Sequence, residues 1–298
     1  RWFFVPGKKE YFFSETLCLQ EGTNKITINA ADAGKEQITK TITVIYTLPK
    51  PQNWAVVIGI RDYYSSHIDD LKYSDSDAMS VYEYLITGRG FAEDHVMLLL
   101  NEKATLKEIK IAIGIFLREK VLKHDSVFIY YSGYGSIEID PLNKDGDGIS
   151  TYLLPYDTDP CNLYGTALST EDITIMLNRI KGKETAFLID SSFSGQGGKT
   201  FANPKTGYMS DKFLNNLSSD TGHLVVTAAD ITESALESEK LGHGIFTYYL
   251  LEGLQKNNYP DRNSFIEKIN EAYDYIFDKT VRESDDRQHP LKKRYTVR

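Results

Sequence analysis

The stretch Val127-Phe-Ile-Tyr-Tyr-Ser-Gly-Tyr-Gly135, together with Ala186-Phe-Leu-Ile-Asp-Ser-Ser-Phe-Ser-Gly195, decides the fold of this 298-residue chain. Each stretch is a short apolar run that ends in a cluster of small residues. This pattern is typical of a buried parallel strand that stops at the edge of a sheet and delivers its last side chains into a crevice. In open α/β sheets, binding and catalytic sites form at such carboxyl-terminal strand ends. We therefore predict a functional site where these two strands end.

Both stretches resemble the two signature segments of the caspase and metacaspase peptidases (family C14, clan CD). In that family the first segment reads Tyr-Ser-Gly-His-Gly and carries the general base, and the second reads Asp-Ser-Cys-Phe-Ser-Gly and carries the thiolate nucleophile. The separation also fits, since caspase-type enzymes place the His about 50 residues before the Cys. This chain has Tyr134 at the position of the His and Ser192 at the position of the Cys. Both halves of the catalytic dyad are therefore replaced.

The replaced dyad points to a protein that keeps the family fold and has lost its chemistry. A serine hydroxyl ionises far above pH 7, and a phenol with a pKa of about 10 cannot accept its proton near neutral pH. We predict a caspase-like pseudopeptidase that acts as a binding or regulatory domain. Two alternatives stay open at this stage. One is a serine hydrolase in which Ser192 uses an unrelated base such as His67 or His243, and the other is an inactivated form of a cysteine-type endopeptidase directed at Arg or Lys.

The resemblance implies two further elements of the site. The backbone N–H groups of Ser192 and Gly135 match the oxyanion hole of the family. Asp77 and Asp190 match the two carboxylates with which metacaspases bind an Arg or Lys side chain, through charge-assisted hydrogen bonds. Simpler interpretations are a capping box for Asp77, because Ser74-x-x-Asp77 fits that motif, and a solvated strand end for Asp190.

No metal or cofactor is predicted. Asn143, Asp145 and Asp147 have the spacing of the first half of a calcium loop, but Leu154 stands at the twelfth position, where a bidentate acid is expected. A turn without metal is the favoured interpretation. The polar stretch from Gly195 to about Leu217 corresponds to the loop that active relatives cut during maturation.

Composition excludes some partners. A net charge of −8 and a pI near 5.4 argue against binding to nucleic acid, and no apolar run is long enough to cross a membrane. We predict a protein or peptide partner that presents an Arg or Lys side chain. The first residues do not read as a signal peptide, and because the sequence begins inside an apparent strand we expect further chain upstream.

The sequence divides into residues 1–50 and 51–298. Within 1–50, strands are predicted around Leu17 and Leu19, from Ile26 to Ala30, and from Ile42 to Tyr46. This run resembles the end of a bacterial immunoglobulin-like module, which favours an extracytoplasmic location, although the compartment stays open. Residues 49–51 form a stiff linker.

From Trp54 onward, strand and helix patterns alternate. This alternation predicts an α/β fold with a mostly parallel sheet and helices on both faces, and the resemblance implies the caspase-like αβα sandwich. We predict strands at 55–60, 96–100, 127–135, 186–192 and 223–229, helices at 75–86, 106–122, 170–180, 246–254 and 264–276, and a long loop after the strand that carries Tyr134.

Overall fold

The computed structural model of the chain describes residues 2–4, 11–31, 36–87, 89–139, 149–193, 214–215, 217, 223–230, 233–256 and 264–294. The chain forms two compact units, Arg1–Lys50 and Pro51–Arg298.

The first unit consists of two antiparallel strand pairs. β1 (Trp2–Phe4) pairs with β2 (Tyr11–Phe13), and β3 (Gly22–Ala31) pairs with β4 (Gln37–Tyr46). In the longer pair Ile26 lies opposite Ile42, so the alternating apolar residues of the two strands share one face.

The predicted strand around Leu17 and Leu19 is wrong, because residues 14–20 adopt no regular structure. The Asn24 side chain accepts from the backbone N–H of Gln20 at 2.9 Å and donates to its carbonyl oxygen at 2.7 Å. These local bonds occupy the backbone groups that a strand would offer to a neighbour.

The second unit contains the remaining strands and, among the described residues, seven α-helices. The strands are β5 (Asn53–Gly59), β6 (Phe91–Leu100), β7 (Ser126–Ile139), β8 (Ile149–Leu153), β9 (Leu168–Ser169), β10 (Glu184–Phe193), β11 (Leu224–Thr227), β12 (Glu237–Ser238), β13 (His243–Gly244) and β14 (Leu291–Arg294). The α-helices are α1 (Ser74–Ile86), α2 (Leu106–Ile111), α3 (Arg118–Lys120), α4 (Leu163–Thr166), α5 (Thr170–Leu177), α6 (Ile245–Lys256) and α7 (Phe265–Glu283), and a π-helical segment, Ala112–Leu117, joins α2 to α3.

The central sheet has the strand order β14-β11-β10-β7-β5-β6. All neighbours are parallel except β14, which runs antiparallel to β11. The apolar residues of β5, β7 and β10 are buried, as expected for strands that are covered on both faces.

Two hydrophobic clusters lie on opposite faces of the sheet. One contains Ile109 of α2 and Leu177 of α5, and the other contains Val81 of α1, Leu250 of α6 and Ile269 of α7. Helices therefore cover both faces, which confirms the predicted α/β fold with a mostly parallel sheet. Among the described residues, none of the helices combines the length and the apolar character that a membrane crossing needs.

Several boundaries differ from the sequence prediction. The first signature strand does not stop at Gly135 but continues to Ile139, because β8 takes over as its antiparallel partner from Gly135 onward. β8, α4 and β9 lie within the predicted long loop, and β14 was not predicted. α5 ends at Leu177, three residues early, whereas α7 continues to Glu283.

Candidate functional site

The two signature strands are neighbours, and their register aligns the two predicted dyad positions. β7 and β10 are parallel, with Tyr134 opposite Ser192 and Ser132 opposite Asp190. Both Tyr134 and Ser192 are half-buried. The structure thus brings together the two residues that are predicted to stand at the positions of the general base and the nucleophile of the family.

The backbone of Tyr134 lies where β7 changes partners. β5 ends opposite Ser132, and pairing with β8 begins at Gly135, which lies opposite Leu153, the last residue of β8. In the gap between them, the N–H of Tyr134 donates to the hydroxyl oxygen of Tyr63 at 2.7 Å, and the N–H of Leu154 donates to the Tyr134 carbonyl at 2.9 Å. Tyr63 therefore fixes the backbone of the degenerate position, a role that its sequence context does not signal.

The phenol of Tyr134 is unsuited to act as a base. Burial raises its pKa, and the negative charges of Asp69, Glu237 and Asp70 raise it further. Its ring lies 5.6 Å from that of Tyr63, centroid to centroid. The hydroxyl is protonated near neutral pH and offers a hydrogen bond instead of accepting a proton.

The hydroxyl of Ser192 is already engaged. Its Oγ donates to the carbonyl oxygen of Ala235 at 3.1 Å, in the segment that precedes β12. A backbone carbonyl cannot take the proton away, so this contact holds the hydroxyl in its neutral form.

The predicted oxyanion donors lie next to these side chains. Gly135 is opposite Phe193, one residue beyond the Tyr134–Ser192 pair, on the same two strands. Whether the N–H groups of Ser192 and Gly135 bind an anion stays a prediction.

Asp77 and Asp190 meet at the amino end of α6, and both are buried, at 1% and 6% exposure. Asp77 Oδ1 lies 2.5 Å from Nδ1 of His243, and Asp77 Oδ2 accepts from the N–H of Gly244 at 2.9 Å. Asp190 Oδ2 accepts from the hydroxyl of Thr247 at 2.6 Å, and the backbone N–H of Thr247 also donates to this carboxyl group. The positive end of the α6 dipole therefore faces both acids.

Both simpler interpretations of these acids are wrong. The N-cap of α1 is Tyr73, which makes no side-chain capping bond, and the Asp77 carboxylate is directed at His243 and Gly244 and not back to Ser74. Asp190 is not a solvated strand end, because the sheet and α6 bury it.

The acids and His243 form one electrostatic unit. Burial raises the pKa of Asp190 to about 7, and the negative charge of Asp77 adds to the rise. Burial also raises the pKa of Asp77, an effect that outweighs the hydrogen bond from His243. The hydrogen bond to Asp77 raises the pKa of His243, which favours the imidazolium form beside the Asp77 carboxylate.

Gly244 is required by the close approach of the two acids. A Cβ atom at this position would lie 2.9 Å from Asp77 Oδ2 and 2.9 Å from Asp190 Oδ2. Real Cβ atoms do not come this close to oxygen, so only glycine allows the backbone to pass between the carboxylates.

We expect Gly244→Ala to destabilise the second unit by about 1–3 kcal/mol, the usual cost of forcing an extra carbon into a packed site. The loss is measured by thermal or urea unfolding. Gly114→Ala is the matched control, because its Cβ would meet only the flexible end of the Met176 side chain, at 3.3 Å. Equal stability of the two variants would contradict the close approach at Gly244.

Sequence reasoning did not find the residues that hold the acid pair in place. Glu237 accepts hydrogen bonds from the backbone N–H groups of Lys72 and Tyr73, where α1 begins. Thr247 also contacts the Tyr130 hydroxyl at 2.5 Å. His243 and Thr247 lie in the segment Gly242-His-Gly-Ile-Phe-Thr247, close to a boundary between a strand and a helix. This position was the one feature of the sequence that could have indicated their role.

Two sequence features lie outside the described residues. These are the calcium-like spacing at Asn143, Asp145 and Asp147, and most of the stretch that follows the second signature segment, from 194 to 213.

The fold and the site geometry define a caspase-type domain, and the comparisons with known proteins agree. The sequence model of the caspase domain family (peptidase C14) matches residues 52–295, so the chain belongs to this family. Caspase-domain proteases act on proteins or peptides.

Curated relatives are distant and longer. Metacaspase-1 of Saccharomyces cerevisiae is 25% identical over 147 residues, which cover 47% of this chain and 33% of that protein. Metacaspase-1 of Candida glabrata is 26% identical over 147 residues, covering 47% of this chain and 36% of that protein. The chain thus matches about a third of the length of these relatives.

Solved structures share the fold. Protein GSU0716 from Geobacter sulfurreducens has a TM-score of 0.59 at 19% identity, covering 83% of this chain and 95% of that one. Caspase-1 from Spodoptera frugiperda has a TM-score of 0.52 at 14% identity, covering 82% of this chain and 86% of that one.

Proposed function

We propose that this chain is a caspase-like pseudopeptidase, a binding or regulatory domain that holds an Arg or Lys side chain of a protein or peptide without cutting the chain. The observation that carries the proposal is the pairing of Tyr134 with Ser192 on adjacent strands, beside an Asp77–Asp190 pair. The residues at the positions of the general base and the nucleophile cannot perform these roles, while the two acids of the specificity pocket remain.

The expected lack of peptidase activity follows from the proton transfers that hydrolysis requires. Hydrolysis needs a nucleophile that loses its proton to a neighbouring base and a base that returns it. Ser192 donates to a carbonyl oxygen, and burial raises the pKa of Tyr134 away from neutrality. Loss of a catalytic unit lowers turnover by roughly 10⁴- to 10⁶-fold in well-studied hydrolases.

The acid pair supports binding of a cation. Two neighbouring carboxylates with raised pKa values destabilise a folded chain when both ionise, and perturbed pKa values of this kind cluster at functional sites. A guanidinium or ammonium group would remove this repulsion. Each charge-assisted hydrogen bond would contribute about 1.5–3 kcal/mol, offset in part by desolvation.

The serine hydrolase alternative is less well supported. It needs a base beside Ser192, and His243, one of the two named candidates, has its Nδ1 on Asp77. His67, the other candidate, is exposed in the segment between β5 and α1. The alternative of an inactivated endopeptidase is separated from ours by restoring the dyad, as argued in the Discussion.

We also propose that the first unit is the end of an immunoglobulin-like module. In support, β3 and β4 are antiparallel and alternate in character, and Ile38 and Ile42, which share one face of β4, are 74% and 41% exposed, as expected for a face that packs against a second sheet in a sandwich. A longer version of the chain that folds these residues into a protease-resistant sandwich would test this assignment.

An Arg-terminated aminocoumarin peptide should bind to the protein without being cleaved. No fluorophore should be released, with or without millimolar calcium, while calorimetry at pH 8 should detect binding. Asp190→Asn should weaken that affinity by roughly tenfold or more, since one charge-assisted bond is lost.

Two controls make this result decisive. A norleucine-terminated peptide should not bind, because it has the length of the basic side chain without its charge. Turnover that Ser192→Ala abolishes, or labelling of Ser192 by a hydroxyl-directed fluorophosphonate, would overturn the pseudopeptidase assignment. If Asp190→Asn left the binding affinity unchanged, the assignment of the acid pair as the binding pocket would be wrong.

A further inference from the structure

We propose that His243 is an internal cation that occupies the acid pocket, and that an Arg or Lys side chain enters only by displacing this imidazole from Asp77. The inference rests on the proposed function, because it assumes that the acid pair receives a basic side chain. It adds a residue that determines when the pocket is open.

Both oxygens of Asp77 are already occupied. Oδ2 accepts from the N–H of Gly244, which is held in place because its Cα lies between the two carboxylates. Oδ1 is bound to the His243 ring at 2.5 Å. A guanidinium needs two parallel acceptor oxygens to bind in its preferred bidentate manner, so it must replace the imidazole at Oδ1.

The backbone around His243 is fixed by other contacts. Gly244 pairs with Glu237 across the β12–β13 hairpin, and Glu237 in turn accepts from the backbone N–H groups of Lys72 and Tyr73 at the beginning of α1. Lys72 also forms an ion pair with Glu239. Displacement therefore needs only a rotation of the His243 side chain, without opening of the hairpin.

The imidazole has space into which it can rotate. Its side chain is 24% exposed, whereas that of Asp77 is 2% exposed. His243 lines a cavity of about 640 Å³ between α1 and α6, together with Ser80, Tyr84, Tyr248 and Leu251. The Tyr248 ring lies 6.1 Å from the imidazole, centroid to centroid, so it packs beside the imidazole as one wall of this cavity.

The displacement depends on pH through charge. The imidazole contacts Asp77 on α1 and packs beside Tyr248 on α6. Asp190 on β10 and Glu237 on β12 lie next to the adjoining Gly244. Glu83, Arg89, Glu252 and Lys256 line the same cavity. Protonated His243 competes as a cation for Asp77, whereas neutral His243 competes only as a hydrogen-bond donor. Since the bond to Asp77 raises the pKa of His243, the competition is strongest at low pH and weakens as the pH rises through that raised value.

The test compares the affinity of N-acetyl-arginine amide for the wild-type protein and for His243→Ala at pH 6 and pH 8.5 by calorimetry. At pH 6 we expect the variant to bind the ligand about five- to tenfold more tightly than the wild type, because one charged competitor has been removed. At pH 8.5 the ratio of the two affinities should approach one. His67→Ala, which removes an exposed imidazole, should match the wild type at both pH values.

A second measurement follows His243 itself. In NMR titrations, saturating N-acetyl-arginine amide should lower the pKa of the His243 ring towards its ordinary value, because the ring loses Asp77. If His243→Ala does not fold, His243→Gln serves in the binding test. It keeps a neutral donor, so it should bind the ligand more tightly than the wild type at pH 6 and match the wild type at pH 8.5.

The outcomes separate this inference from the proposed function. Binding that Asp190→Asn weakens but His243→Ala leaves unchanged, or a His243 pKa that does not move on binding, would keep the pocket and overturn the displacement. No binding to the wild type or to His243→Ala at either pH would overturn both.

Discussion

The double substitution Tyr134→His and Ser192→Cys should produce a cysteine peptidase that cleaves after Arg or Lys. The two positions lie opposite each other on adjacent parallel strands, so an imidazole and a thiol introduced there would face the same crevice. A thiolate beside a protonated imidazole is the nucleophile that Ser192 cannot provide. The acid pair would set the preference for a basic side chain.

The restored activity should be measurable but weak. Tyr63 contacts the Tyr134 backbone and packs beside its ring, and the Ala235 carbonyl would compete for the new thiol. A misplacement of about 1 Å can cost roughly 10²-fold in rate. We therefore expect the double variant to exceed each single variant by at least about 10²-fold, because the thiolate and its base act as a unit.

Three measurements check this prediction. Release of aminocoumarin from Arg-, Lys- and Asp-terminated peptides gives the activity and its preference, and iodoacetamide should abolish it. Tyr134→His and Ser192→Cys alone should stay at background. A folded double variant that cleaves nothing would show that the groove differs from the family in more than the dyad, whereas cleavage after Asp would overturn the pocket assignment and leave the fold unchanged.

The sequence predicts the sheet because buried strands carry their own signal. β5, β7 and β10 contain apolar runs followed by small or polar residues, which is the pattern of parallel strands buried on both faces. The meeting of Asp77 with Asp190 came from the family resemblance, since the two residues are far apart in sequence and only the fold brings them together.

What the sequence could not predict depends on tertiary partners. β7 extends beyond Gly135 only because β8 is present to pair with it. β14 has charged residues at three of its four positions, so its sequence lacks the hydrophobic pattern that predicts a strand. The same holds for His243, whose role follows from the placement of the β12–β13 hairpin against α1. A side chain that acts through contacts distant in sequence leaves no periodic signal.

Asp190→Asn should stabilise the second unit, and the gain should grow as the pH rises. The folded pKa of Asp190 is raised from 3.8 to about 7, so the folded state favours the protonated carboxyl group. The contribution of such a group is fully present below the unfolded pKa and is lost as the pH rises through the folded one. The wild type therefore loses stability relative to the variant between about pH 4 and pH 7, by up to about 1.4 kcal/mol per unit of pKa difference, and the difference is constant above that range. Asn keeps an oxygen for Thr247 and offers an N–H to Asp77, so no hydrogen-bonding capacity is lost.

Urea unfolding from pH 4.5 to pH 8 measures this difference, with Asp278→Asn on the exposed face of α7 as the control that should not vary with pH. A difference in stability between Asp190→Asn and the wild type that stays constant over the whole range would contradict a buried carboxyl group with a raised pKa.

The same experiment connects stability to binding. N-acetyl-arginine amide should stabilise the wild type most above pH 7, where Asp190 is ionised, because a bound cation removes the repulsion between the two carboxylates in the folded state. The same ligand should stabilise Asp190→Asn far less.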